Sequence, residues 1–115
     1  MAERTAACTA CHGTQGKAGP DGYYPRLAGK PAGYLYNQLR NFQEDRRHYA
    51  LMQGLLAPLG PEYLRDMAAY FSSLDVPYPA PAPSDAAPAV LARGKTLVLQ
   101  GDRACLLYTS PSPRD

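Results

Sequence analysis

Two thiols and an imidazole fall within five positions in Cys8-Thr9-Ala10-Cys11-His12, and Gly13 follows. Few chemistries use that set. A C-x-x-C pair serves redox exchange, supplies half of a zinc site, or, when His comes next, attaches a haem. The third use has a physical rationale. Two thiolates add across the two vinyl groups on one edge of a porphyrin, and two intervening residues let a turn of chain reach both. The next residue then lies under the iron, where His12 can offer a ring nitrogen as the proximal ligand. Gly13 lets the chain turn away close to the ring plane. The run thus points to haem c held covalently by Cys8 and Cys11, with His12 on the iron.

The competing uses need surroundings that this chain supplies poorly. A thioredoxin-like redox pair sits in a βαβ setting, whereas this sequence reads as helices and loops. A structural zinc site needs two further ligands, and only His48 and Cys105 remain. For the other iron face there are three candidates: His48, Met52 and Met67. His48 lies in the charged run EDRRHY and reads equally as a solvated side chain. Met67 falls between Leu64 and Phe71 on a helical pattern and reads equally as core packing. Met52 lies beside Leu51 and Leu55, as ligand or as filler. No paired carboxylates, nucleophile–base pair or phosphate loop is evident, so the expectation is not an enzyme.

The elements that must position these residues are helical. AERTAACTACH is rich in helix formers, and the loop HGTQGKAGPDGYYPRLAG that follows is dense in Gly and Pro. A helix is expected from about Ala32 to Asp45, with Leu35, Leu39 and Phe42 on one face. RRHYALMQGLLAPLG holds an apolar cluster ending at Gly60. Pro61 suits the first position of another helix. Its face carries Leu64, Met67, Ala68, Phe71 and Leu74, and Pro77 should stop it near Val76. Tyr78–Pro88 reads as a Pro-rich extended linker. PAVLARGKTLVLQGD then looks like a new amphipathic helix with Val90, Leu91, Gly94, Leu97 and Val98 on one side. The expected organisation is one domain at 1–76, a linker at 77–88, and the opening helix of a second, truncated domain at 89–104.

Bulk properties narrow the function classes. With 115 residues, 45% hydrophobic and 19% charged, the chain reads as folded rather than disordered. A net charge of +2 gives no bulk case for nucleic-acid binding. No apolar run approaches the length of a membrane span, and MAERTAA has no apolar core for an export signal. About 70 residues rarely build an adequate core from side chains alone, and a bound macrocycle would supply the missing apolar mass.

Residues 8–76 resemble a class I cytochrome c domain, of the type repeated in tandem in two-haem cytochromes of the c-four type. CTACHG, YPRLAGK, YLYNQLRNF, ALMQGLLAPLG and DMAAYFSSL carry the resemblance, in that order. It implies an all-α fold around one covalent haem, with two haems in a full-length tandem protein. It also implies that the Pro25 carbonyl meets the proximal His, and that Leu27, Tyr34 and Gln38 line or flank the haem. Class I domains carry their axial Met just before the last helix, so Met52 is the implied distal ligand; a second Met often found three positions on is Leu55 here. His/Met ligation fills both axial positions, implying outer-sphere one-electron transfer between respiratory partners. The alternative is the haem c electron-entry domain of a larger oxidase or dehydrogenase complex. Partners would dock transiently, with Arg4, Lys17, Arg26 and Lys30 as candidate cations around the haem edge. Such domains mature in the periplasm, so the expectation is a missing export signal from a truncated gene model. The last eleven residues, CLLYTSPSPRD from Cys105 to Asp115, resemble a translated sequencing adapter, and Cys105 is assigned no role.

Overall fold

A computed structural model describes residues 1–102 and 104. The described residues are helical and contain no β-strand. They fall into two compact units, Met1–Pro79 and a second from Ala80 onward.

The first unit opens with a short 3-10 turn at Glu3–Thr5 that runs into α1, Ala6–His12. The Thr5 side chain is fully buried, and its hydroxyl donates to the carbonyls of Met1 and Ala2. Helix α1 stops at Gly13 because the backbone there takes φ 78. A Cβ at that position would lie 2.9 Å from the Ala18 carbonyl oxygen, so only glycine fits. The loop closes tightly, with Ala18 N–H donating to the His12 carbonyl at 2.8 Å. Gly16 accepts from both Leu27 and Ala28 N–H, which folds the loop's far end back onto its start.

Helices α2, Ala32–Gln43, and α4, Pro61–Ser73, form the principal packed pair. Leu35 and Phe42 of α2 are buried against Leu64, Met67, Ala68 and Phe71 of α4. Those α4 positions recur at three- and four-residue steps, which is one helical face. Pro61 occupies the first turn of α4, where its missing N–H costs nothing.

Two helix ends and one added helix differ from the sequence expectation. Helix α2 ends at Gln43 rather than Asp45, because Asp45 takes a left-handed φ of 57. Helix α4 ends at Ser73 rather than near Val76, because Leu74 is already extended and Gly29 N–H caps the Phe71 carbonyl at 2.9 Å. The apolar cluster before Pro61 is itself a short helix, α3, Ala50–Leu56. Met52 therefore lies on a helix.

In the second unit, residues 80–87 have no regular structure and α5 spans Pro88–Gln100. None of its residues is buried; Val90 and Val98 are 61% and 75% exposed. An Arg93–Asp102 ion pair at 2.6 Å spans its last two turns.

Candidate functional site

Helices α1, α2, α3 and α4, with the loops after α1 and α2, enclose a cavity of about 380 Å³ within the first unit. Cys8, Cys11 and His12 border it, all from α1 and its end. Cys8 is half-buried and Cys11 exposed, and neither forms a disulfide. Burial pushes the Cys8 thiol up from its ordinary value, a backbone hydrogen bond offsets this in part, and the nearby Cys11 adds in the same upward direction.

His12 is buried, and its Nδ1 lies 2.7 Å from the Pro25 carbonyl oxygen. A proline carbonyl can only accept, so Nδ1 carries a proton, and in the neutral ring Nε2 is then the nitrogen with the lone pair. A metal-ligating imidazole is commonly prepared in this way. Pro25 and Leu27 both border the cavity. The loop reaches His12 because Gly16 admits Leu27 closely: a Cβ on Gly16 would sit 3.0 Å from both Leu27 Cβ and the Phe71 ring.

Met52, Met67 and His48 all border the same cavity. Met67 is only 3% exposed and packs with Phe42, Leu56 and Leu64. The His48 Nδ1 is drawn to Asp45 Oδ1 at 2.9 Å on an exposed part of the loop. Met52 is half-buried on α3 between the exposed Leu51 and Leu55.

Two residues named from the sequence do not reach the cavity wall. Leu35 turns inward, so Tyr34 is rotated by about 100° about the helix axis and is 49% exposed. Gln38 lies off the buried face in the same way, and its Oε1 accepts from Arg47 at 2.7 Å. Nor do Arg4, Lys17, Arg26 and Lys30 border the cavity. Arg4 pairs with Asp66 and lies over Tyr63, while Arg26 and Lys30 hold Tyr78. Among the described residues, the permanent cation bordering the cavity is Arg47, which the sequence reading passed over. Its position next to His48 in a charged run gave no periodic signal. Much of the remaining wall is apolar and comes from Leu39, Phe42, Ala68 and Phe71, which the sequence marked only as core-facing.

The zinc reading finds no support in this arrangement. Among the described residues no group of three His, Cys, Asp or Glu side chains is placed to hold a metal ion, and Cys105 lies outside them. The adapter-like tail also lies outside them. The chemistry of the donor set does fit a haem. Two thiols and a pre-oriented imidazole stand on one side, thioethers are available elsewhere on the wall, and the lining is largely apolar.

A family comparison completes the description: the cytochrome c profile matches residues 3–75. The chain belongs to the cytochrome c family. Membership implies covalently bound haem c. The chain is 44% identical over 98 residues to a thiosulfate dehydrogenase electron acceptor of Thiomonas intermedia, covering 84% of this chain and 44% of that protein. It is 34% identical over 114 residues to cytochrome c4 of Pseudomonas aeruginosa, covering 95% and 54%. The crystal structure of reduced cytochrome c4 from Pseudomonas stutzeri superposes with a TM-score of 0.68 at 32% identity, over 91% of this chain and 57% of that one. A thiosulfate dehydrogenase structure from Marichromatium purpuratum superposes with a TM-score of 0.66 at 28% identity, over 88% of this chain and 23% of that one. The chain thus spans about half the length of the curated cytochromes it matches. No described helix is long and apolar enough to cross a membrane.

Proposed function

We propose that this chain is the first domain of a two-haem, one-electron carrier of the c-four type, working in the periplasm between respiratory proteins. The single observation that carries the reading is the cavity bordered by Cys8, Cys11 and a His12 whose Nδ1 is held by Pro25. Cys8 and Cys11 would hold haem c through thioether bonds, His12 would supply Nε2 to the iron, and Met52 would supply the second protein ligand. When bound, the haem supplies a ferric/ferrous couple with no open site for substrate. The protein's part is to fix and tune that couple. The Pro25 carbonyl keeps the proton on Nδ1 and sets the ring orientation. Leu39, Phe42, Ala68 and Phe71 exclude water, which favours the less charged ferrous state. Met52 is preferred because Met67 is taken up by core packing and His48 by Asp45. The likeness over about half of each cytochrome c4 relative supports a second domain beginning near α5.

The test is maturation of the chain behind an export signal. A red protein whose haem survives acid–acetone extraction is expected, and the Cys8→Ala, Cys11→Ala double variant should release it. Extractable haem in the unmodified chain would overturn the reading.

A second reading keeps the chemistry and names the electron donor. The 44% identity to a protein named as a thiosulfate dehydrogenase electron acceptor favours a thiosulfate-oxidising dehydrogenase as that donor. Rapid-mixing reduction of the haem-loaded protein by such an enzyme with thiosulfate should be fast and saturable. Reduction no faster than that of an unrelated cytochrome would remove this reading and leave the first intact.

A further inference from the structure

We propose that Arg26 is a positioning residue for His12: by fastening residues 76–78 to the loop that carries Pro25, it fixes the Pro25 carbonyl and so sets the ferric/ferrous balance of the bound haem; this rests on the haem c reading above. Arg26 does not border the cavity, so it acts through its neighbour. The carbonyl that meets His12 Nδ1 at 2.7 Å belongs to the peptide group joining Pro25 to Arg26. That group is planar, so the carbonyl turns only as the backbone on either side of it turns. Its own N–H gives no anchor, since Arg26 N–H has no acceptor among the described residues. Pro25 has no N–H to offer.

The Arg26 side chain supplies the anchor. Nε donates to the Ala28 carbonyl at 3.1 Å, Nη1 reaches the Pro77 carbonyl at 3.5 Å, and Nη2 donates to the Val76 carbonyl. The guanidinium lies 3.9 Å from the centre of the Tyr78 ring, whose hydroxyl accepts from Lys30 Nζ. The loop beyond Arg26 is held by its backbone instead. Leu27 and Ala28 N–H donate to the Gly16 carbonyl, and Gly29 N–H to the Phe71 carbonyl. At the residue next to the critical carbonyl, the side-chain fork therefore does what backbone bonds do elsewhere in the loop.

The sign of the effect follows from the imidazole. A well-aligned acceptor on Nδ1–H makes the ring a more basic ligand. A more basic ligand favours the more highly charged ferric iron. Loosening the Pro25 carbonyl weakens that bond, favours the ferrous state and raises the potential. Removing a positive charge would do the opposite, so the two causes separate by sign. Charge-conserving variants isolate the first.

The experiment uses the full chain matured with covalent haem, with Arg26→Lys, Tyr78→Leu and the double variant. Lysine keeps the charge but lacks the planar fork that spans several carbonyls. Midpoint potentials are measured by optical redox titration, and exchange of the His12 Nδ1 proton with solvent by NMR of the ferrous protein. Both single variants should raise the potential, with Arg26→Lys shifting the ferrous/ferric ratio roughly threefold, about 28 mV for one electron. The Nδ1 proton should exchange several-fold faster in both. The double variant should shift less than the sum of the two, because both act through one contact. Tyr63→Phe serves as the control, since it removes a hydrogen bond at another place, Tyr63 Oη to the Arg4 carbonyl at 2.8 Å. It should leave the potential and the exchange rate unchanged. Variants that are less stable to urea yet keep the parent's potential and exchange rate would overturn the proposal, leaving Arg26 a purely structural tie. A lowered potential, or an equal shift in Tyr63→Phe, would overturn it too. If Arg26→Lys does not mature, Tyr78→Leu carries the test with the same expected signs. Absence of covalent haem in the parent would instead defeat the reading beneath it.

Discussion

The cavity asks two different things of its two methionines. Met67 is 3% exposed and wedged among Phe42, Leu56 and Leu64, while Met52 is half-buried beside solvent-facing neighbours on α3. Truncating a buried Met leaves a cavity in the core, whereas truncating a half-buried one removes fewer contacts. Met67→Ala should therefore cost about 2–5 kcal/mol of stability, read by urea unfolding of the haem-loaded protein. It should keep the weak far-red band of sulfur-to-iron charge transfer in the oxidised spectrum. Met52→Ala should abolish that band at a smaller cost in stability. A band lost in Met67→Ala and kept in Met52→Ala would move the ligand to Met67, and a band kept in both would return attention to His48. At this scale the sequence was most informative where the candidate residues are contiguous. Cys8, Cys11 and His12 could be named together because one turn of chain carries them all to the cavity. Arg47 could not be named in this way, because nothing local distinguishes a guanidinium aimed at a cavity from one in water. Tyr34 and Gln38 each precede by one residue a side chain that borders the cavity, Leu35 and Leu39, and on α2 that step separates the cavity wall from the surface.

Helix α3 shows why a short element can escape its own sequence. It has seven residues, ALMQGLL, and only Leu56 is buried. Leu51 is 68% exposed, and Leu51, Met52 and Leu55 all border the cavity. Apolar residues on both the core side and the cavity side erase the one-face pattern by which α2 and α4 were read. What holds α3 is tertiary. The Gln43 amide at the end of α2 donates to the Leu56 carbonyl at 2.7 Å and the Leu59 carbonyl at 2.8 Å. These are carbonyls at and beyond the C-terminus of α3, which have no partner within the helix. Gln43→Ala removes both bonds and should destabilise the haem-loaded protein by about 1–2 kcal/mol. Because α3 carries Met52, the far-red band should also weaken at temperatures well below global unfolding. A variant that unfolds like the parent and keeps its band to the same temperature would show that Gln43 does not hold the helix.

At the scale of the whole molecule, the structure shows where the first unit, Met1–Pro79, ties off. Arg26 donates to the Ala28, Val76 and Pro77 carbonyls, and its guanidinium lies 3.9 Å from the centre of the Tyr78 ring. Lys30 Nζ donates to the Tyr78 hydroxyl at 3.3 Å. The segment leaving α4 is thus strapped onto the loop that carries Pro25, as far as Tyr78. From Ala80 to Ala87 there is no regular structure; Ala86 N–H donates locally to Ser84 Oγ, and the Ala87 carbonyl accepts from Val90 and Leu91 N–H at the start of α5. A protease that accepts small residues should therefore cut first between Ala80 and Ala87, leaving the haem on the N-terminal fragment. A chain ending at Pro79 should keep the visible spectrum and unfolding midpoint of the parent. A chain ending at Asp75 loses the strap, with its hydrogen bonds and cation–π contact, and should be less stable by about 1–3 kcal/mol. If truncation at Pro79 cost as much as truncation at Asp75, residues beyond the strap would be contributing to the first unit and the boundary would have to move toward α5. Equal stability of all three chains would instead make the Arg26–Tyr78 contact ornamental, and the end of the first unit would then lie at α4 itself.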